Sequence, residues 1–123
     1  MKINKRISTL ISFFILFFVS ISFAGEHFVP ITSYRTGVYG ISGAPAANGF
    51  VDYLKMINAR DGGVGGVKLA WEECETAYQQ DRFVECYERL KHRGEAGATV
   101  FQPLGTGLTY AVLDRLADDK IPL

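Results

Sequence analysis

The chain contains 123 residues, of which 48% are hydrophobic, and its 13 Lys and Arg residues equal its 13 Asp and Glu residues in number. This length suits one small domain and is too short for two. Because the charges balance and no basic run follows the first residues, the composition argues against a nucleic acid as partner.

The first 24 residues have the organisation of a secretory signal peptide. Three basic residues precede an apolar stretch from Ile7 to Phe23, and the small residues Ser22 and Ala24 mark a cleavage site. An uncleaved anchor helix is the alternative, but the stretch is 17 residues long, shorter than the roughly 20 residues of a membrane span. We therefore predict export to the periplasm and a mature chain of residues 25–123, with 10 basic and 13 acidic residues.

After residue 24, the apolar residues switch repeatedly between the spacing of a strand and that of a helix. Pro45 suits a first helical turn, and Asp81 suits an N-cap. The glycines of residues 62–66 follow a helix and precede a strand, the reverse of a dinucleotide-binding fingerprint. The predicted strands are His27 to Ser33, Val67 to Cys74, Ala98 to Leu104 and a fourth from Ile121; the predicted helices run from Pro45 to the Gly62-Gly63 pair, from Asp81 to Arg93 and from Thr109 to Asp119.

The chain contains two cysteines, Cys74 and Cys86. An exported protein meets an oxidising compartment, which favours a disulfide between them. Cys86 lies on the apolar face of its predicted helix, as such a bridge requires. Two alternatives are weaker: a redox pair favours C-x-x-C spacing, and a zinc site needs more ligands than these cysteines with the distant His27 and His92.

Alternating strands and helices predict an α/β fold with a parallel sheet covered on both faces, a three-layer arrangement. In such sheets a ligand binds beyond the carboxyl ends of the strands. Three loops reach that edge: 34–44, 75–80 and 105–108. Two of them are rich in glycine and hydroxyl groups, so backbone N–H groups can approach a ligand, and the start of a helix favours a carboxylate.

Several of these features also have a structural interpretation. The run Gly105-Thr106-Gly107 is equally well explained as an ordinary tight turn with a capping threonine, and Tyr34, Tyr39 and Tyr110 suit packing as well as ligand contact. The glutamates around the cysteines are better interpreted as a solvated face than as paired catalytic carboxylates. No nucleophile has a base at a meaningful spacing, so we predict that the chain is not an enzyme.

The mature segment resembles the N-terminal part of periplasmic substrate-binding proteins of ABC importers, in the leucine/isoleucine/valine-binding family. The most specific stretches are N-A-R-D-G-G-V-G-G-V-K, the turn P-L-G-T-G-L-T-Y-A-V and the ending L-A-D-D-K-I-P-L. The resemblance implies the type I periplasmic binding protein fold, in which two lobes close on a small ligand. The partners that it implies are an amino acid or related small molecule and a membrane permease, with no cofactor and no metal.

Carried over position by position, the resemblance implies ligand contacts from the first loop and from the third. The family often has a serine directly after the third strand, where this sequence has Gly105, so Thr106 is expected to supply the hydroxyl. The implied ligand-binding residues are Tyr39, Leu104, Gly105, Thr106 and Thr109.

The resemblance covers about the first third of a typical family member. We therefore expect residues 25–123 to form a truncated first lobe, marginally folded alone and weak in ligand binding. A ligand-sensing domain of a receptor or regulator with the same fold is the alternative function. An enzyme on a flavodoxin-like or Rossmann-like scaffold is disfavoured by the missing phosphate loop.

Overall fold

A computed structural model describes residues 25–123, so the predicted signal peptide lies outside the described residues. This part of the chain contains two strands and three helices. Within it, no helix has the combination of length and apolar character needed to cross a bilayer. The strands are β1 (His27–Ser33) and β2 (Leu69–Glu75), and the helices are α1 (Gly40–Arg60), α2 (Gln80–Leu90) and α3 (Thr106–Asp119).

The two strands pair in parallel over their full length, with His27 opposite Leu69. β1 has its predicted bounds. β2 begins at Leu69 rather than at Val67, because Val67 pairs with Val64 across the glycine-rich turn. Two backbone hydrogen bonds of 2.9 and 3.0 Å close that turn, so Val67 is not free to extend the strand.

The prediction of a third regular strand from Ala98 to Leu104 is wrong. The segment runs parallel to β1, on the edge opposite β2, and meets it at two isolated bridges, Phe28 with Ala98 and Ile31 with Gln102. Between these bridges β1 advances by three residues and the segment by four. The extra residue interrupts the hydrogen-bond ladder, as a β-bulge does. The segment nevertheless occupies the position of a third strand beside β1.

The predicted fourth strand from Ile121 does not form within the described residues either. One backbone hydrogen bond of 2.9 Å, from Phe101 N to Pro122 O, brings this stretch beside the extended segment. Pro122 has no N–H with which to continue a ladder.

The helices differ from prediction mainly at their ends. α1 begins at Gly40, so Pro45 lies inside the helix rather than in its first turn. Gln79, not Asp81, occupies the N-cap of α2. α3 begins at Thr106 rather than at Thr109. The missed turns contribute few core side chains, so apolar spacing gives little signal for them.

The helices cover both faces of the sheet, which confirms the three-layer α/β prediction. Successive side chains of a strand point to opposite faces. Phe28 and Cys74 therefore face α2 and α3, whereas Ile31 and Leu69 face α1. The larger core cluster contains Phe28, Cys74, Phe83, Cys86, Tyr87, Leu90, Phe101, Leu108, Val112 and Leu116; the smaller contains Ile31, Leu54, Ile57 and Leu69.

The predicted disulfide between Cys74 and Cys86 is confirmed. Its Cα atoms lie 5.8 Å apart, within the usual range for a disulfide. Both cysteines are buried in the larger core cluster. The bridge fastens the carboxyl end of β2 to α2, directly beneath the loop that follows β2.

Candidate functional site

Three loops meet at the carboxyl edge of the parallel strands, where open α/β sheets bind ligands. The first loop (34–39) joins β1 to α1, the second (76–79) joins β2 to α2, and the third (103–105) leads into α3. β1 is the central extended segment, so its loop lies between the other two. This edge is therefore the candidate binding site.

A cluster of three tyrosines connects the first and second loops. The ring centres of Tyr39 and Tyr78 are 4.6 Å apart, and those of Tyr34 and Tyr78 are 5.1 Å apart, both in edge-to-face arrangements. Such aromatic pairs stabilise by more than their buried area alone. Tyr39 remains 50% exposed, so part of the cluster is open to solvent.

Gly105 connects the third loop to the same cluster. A Cβ atom at Gly105 would lie 2.7 Å from the Tyr78 ring, and its φ angle of +151° is one that other residues rarely adopt. Glycine is therefore required twice, for the backbone conformation and for the close approach of Tyr78. Through Tyr78, the structure brings the predicted residues Tyr39 and Gly105 together.

The start of α3 presents backbone donors at this edge. Gly105 is the N-cap and no side-chain hydrogen bond caps the helix, so the first N–H groups of α3 point towards the edge without a helical acceptor. Thr106 and Gly107 are exposed. The Thr109 hydroxyl donates to the Gly105 carbonyl oxygen at 2.9 Å, which commits its proton to the turn.

The carboxylate of Glu75, at the end of β2, holds the first loop against the second. One oxygen, Oε2, accepts from Arg35 N at 2.7 Å and from the Ser33 hydroxyl at 3.1 Å. The other, Oε1, accepts from Thr36 N at 3.1 Å, from the Thr36 hydroxyl at 2.8 Å and from Ala77 N at 3.1 Å. Burial raises the pKa of Glu75, but the hydrogen bonds from Arg35, Thr36 and Ser33 together have the larger effect, so the pKa is lowered.

The side chain of Arg35 also fixes the first loop. Its guanidinium binds both carboxylate oxygens of Glu73, with Nη2 to Oε2 at 2.9 Å, and donates to Asn48 Oδ1 at 2.8 Å. The hydrogen bond from Arg35 lowers the pKa of Glu73, against a smaller opposing effect of burial. The glutamates predicted to form a solvated face thus include two, Glu73 and Glu75, that organise the edge.

Two of the predicted residues, Tyr39 and Gly105, take part in the cluster, and the other three adjoin it. Leu104 is half-buried and Thr106 exposed, each next to Gly105, and Thr109 lies one turn into α3. Tyr110 is 71% exposed. Sequence reasoning missed Tyr78 and Glu75; the available signal was a carboxylate at the predicted end of a strand followed by a tyrosine in a short loop.

A three-layer α/β unit with loops converging on the carboxyl edge of parallel strands defines a class of ligand-binding folds. Residues 27–123 match the periplasmic binding protein family. The chain belongs to that family, which confirms the resemblance noted in the sequence. Among curated proteins, none matches the chain.

Two solved structures have a similar fold. One, from the Pseudomonas fluorescens group and described as an ABC transporter permease, is 42% identical over 81% of this chain, with a TM-score of 0.75. The other, a fatty acid ABC transporter substrate-binding protein from Thermomonospora curvata, is 24% identical over 79% of this chain, with a TM-score of 0.69. The matched part spans 24% of the length of each of these proteins.

Proposed function

We propose that the chain is part of the substrate-binding component of an ABC importer, in which residues 25–123 supply one wall of a ligand cleft in the periplasm. The ligand would be an amino acid or a similar small carboxylate or amide, delivered to a membrane permease. Family membership supports a binding role. Residues 1–24 would direct export as a signal peptide.

The observation that carries this proposal is the uncapped start of α3 beside an aromatic cluster. Backbone N–H groups at a helix N-terminus favour an anion, and the Thr106 hydroxyl is exposed beside them. The half-exposed ring of Tyr39 lies on the same edge and offers an apolar surface to the remainder of the ligand. Tyr39, Leu104, Gly105, Thr106 and Thr109 are the proposed contacts.

The test is an NMR titration of the whole chain with L-leucine and, as a matched comparison, with its amide. One wall of a cleft binds weakly, and amide chemical shifts report weak, site-specific binding. We expect saturable shifts at residues 105–108 and 39 with the amino acid, and smaller ones with the amide. Shifts scattered over the surface, or none across a panel of amino acids and small carboxylates, would contradict the proposal.

A pair of threonine variants tests the role of the hydroxyl. Thr106→Val should weaken binding by roughly 1 kcal/mol, about fivefold, because a hydrogen bond to the ligand is lost. Thr99→Val is the matched control, since Thr99 is also exposed but lies near the opposite end of the extended segment. Equal affinities of the two variants would show that the Thr106 hydroxyl does not bind the ligand and that Thr106 only begins the helix.

A further inference from the structure

The structure assigns to Glu75 a positioning role: its carboxylate holds the first and second loops in the arrangement that places Tyr78 between Tyr39 and Gly105. The benefit of this positioning to ligand binding rests on the proposed function. The contacts that Glu75 makes do not depend on a ligand. Glu75 itself is not proposed to touch the ligand.

The first step is the strain in the second loop. Ala77 and Tyr78 both have positive φ angles, +49° and +60°, a conformation unusual for non-glycine residues and costly to maintain. Glu75 accepts from Ala77 N, and the Thr76 hydroxyl oxygen accepts from Tyr78 N at 3.2 Å. These two bonds hold the consecutive left-handed residues, and thereby aim the Tyr78 ring.

The second step is the number of hydrogen bonds that the carboxylate accepts. Three backbone N–H groups, those of Arg35, Thr36 and Ala77, converge on its two oxygens. A backbone N–H donates only, so all three need an acceptor. A glutamine at this position has one amide oxygen and one NH2 group. If the NH2 replaces Oε2, Arg35 N loses its acceptor; if it replaces Oε1, Thr36 N and Ala77 N lose theirs.

The third step links the carboxylate to the first loop. Arg35 is bound through its backbone to Glu75 and through its guanidinium to Glu73. The first loop, which ends at Tyr39, is thus fixed to the end of β2 at several points. Loss of the Glu75 bonds would free Tyr39 and Tyr78 together, without removing any residue of the larger core.

The test compares Glu75→Gln with Glu85→Gln in the whole chain. Glu85 is an exposed glutamate of α2, so its variant changes the net charge equally and leaves the two loops untouched. We expect Glu75→Gln to speed amide hydrogen exchange about tenfold at residue 35, or at residues 36 and 77, according to which oxygen the NH2 group replaces, with core amides of α3 unchanged. Nuclear Overhauser contacts between the Tyr78 ring and Gly105 should also weaken. Unchanged exchange and contacts would overturn the inference.

A double-mutant cycle separates positioning from general destabilisation. With L-leucine as the probe, Glu75→Gln should weaken binding about fivefold in the parent chain but have little effect in a Tyr78→Ala background, because the ring to be positioned is gone. Equal effects in both backgrounds would mean that Glu75 acts otherwise than through Tyr78. If the parent chain binds no probe, the binding proposal fails, and the exchange measurement still decides whether Glu75 positions the loops.

Discussion

At the scale of single residues, two buried threonine hydroxyls differ in how they are satisfied. Thr76 is 0% exposed, and its hydroxyl donates to the Ser33 carbonyl oxygen at 2.8 Å. Thr32 is 7% exposed, and its hydroxyl has no hydrogen-bond partner among the described residues. A buried polar group without a partner costs free energy, whereas a bonded one does not.

The two sites make a matched pair of predictions. Thr32→Val should raise the free energy of unfolding by about 1 kcal/mol, because the methyl group replaces a hydroxyl that gains nothing from burial. Thr76→Val should lower it by about 1 to 3 kcal/mol, because Ser33 O and Tyr78 N lose a partner. Urea denaturation of the parent chain and both variants measures these changes in the free energy of unfolding. A loss of stability in Thr32→Val would mean that its hydroxyl has a partner in solution.

At the scale of elements, the disulfide joins β2 to α2 just before the Glu75 carboxylate and the Tyr78 loop. Glu73, Cys74 and Glu75 follow one another along the strand, so an anchored Cys74 limits the movement of both neighbours. The pairing also closes a short loop, since the cysteines are separated by 12 residues.

Removing this bridge should lower the free energy of unfolding by roughly 3 kcal/mol, because the unfolded chain regains the freedom of the closed loop. The measurement is urea denaturation of the chain with and without reductant. The Cys74→Ala/Cys86→Ala double variant is the control, and reductant should leave it unchanged. Equal stability of the oxidised and reduced parent would show that packing alone holds β2 to α2.

At the scale of the whole molecule, carboxylates join elements that are distant in sequence. Asp119 of α3 accepts from the Tyr87 hydroxyl at 2.6 Å and from Lys91 Nζ at 2.8 Å. The hydrogen bond from Lys91, followed by that from Tyr87, lowers the pKa of Asp119. Hydrogen bonds from Lys91 and Arg115 likewise lower the pKa of Glu88, and those described above lower the pKa of Glu73 and Glu75.

These shifts predict a loss of stability in acid. A carboxyl whose folded pKa is below its unfolded value contributes stability above the unfolded pKa, near 4.5 for Glu and 3.8 for Asp, and loses it as the pH falls through the folded pKa. The urea midpoint should therefore change little from pH 7 to 5 and fall below about pH 4.5. In the Glu73→Gln variant the urea midpoint should fall less on acidification than in the parent chain. A midpoint that rises on acidification would contradict the assignment.

The sequence by itself determined the order of β1, β2 and the three helices, the faces that pack and the pairing of the cysteines. The order and the packed faces depend on local spacing of apolar residues, which a single chain records directly. The cysteine pairing followed from the presence of two cysteines in a chain expected to be exported. It also indicated which loops meet at one edge, because loops after parallel strands lie at the same end of the sheet. Two members of the edge cluster, Tyr39 and Gly105, were implied by the family resemblance. The bounds of β1 were also predicted from the sequence, because its apolar run is continuous and flanked by polar residues.

Only the tertiary structure showed the bulge that interrupts the segment from Ala98. It alone also showed that Glu75 and Tyr78 connect the loops at the edge of the sheet. The bulge depends on how two stretches far apart in sequence align, which neither stretch specifies alone. Glu75 receives hydrogen bonds from residues about 40 positions away. Backbone N–H groups are identical in every residue except proline, so the sequence carries no mark of which ones will converge on a particular carboxylate.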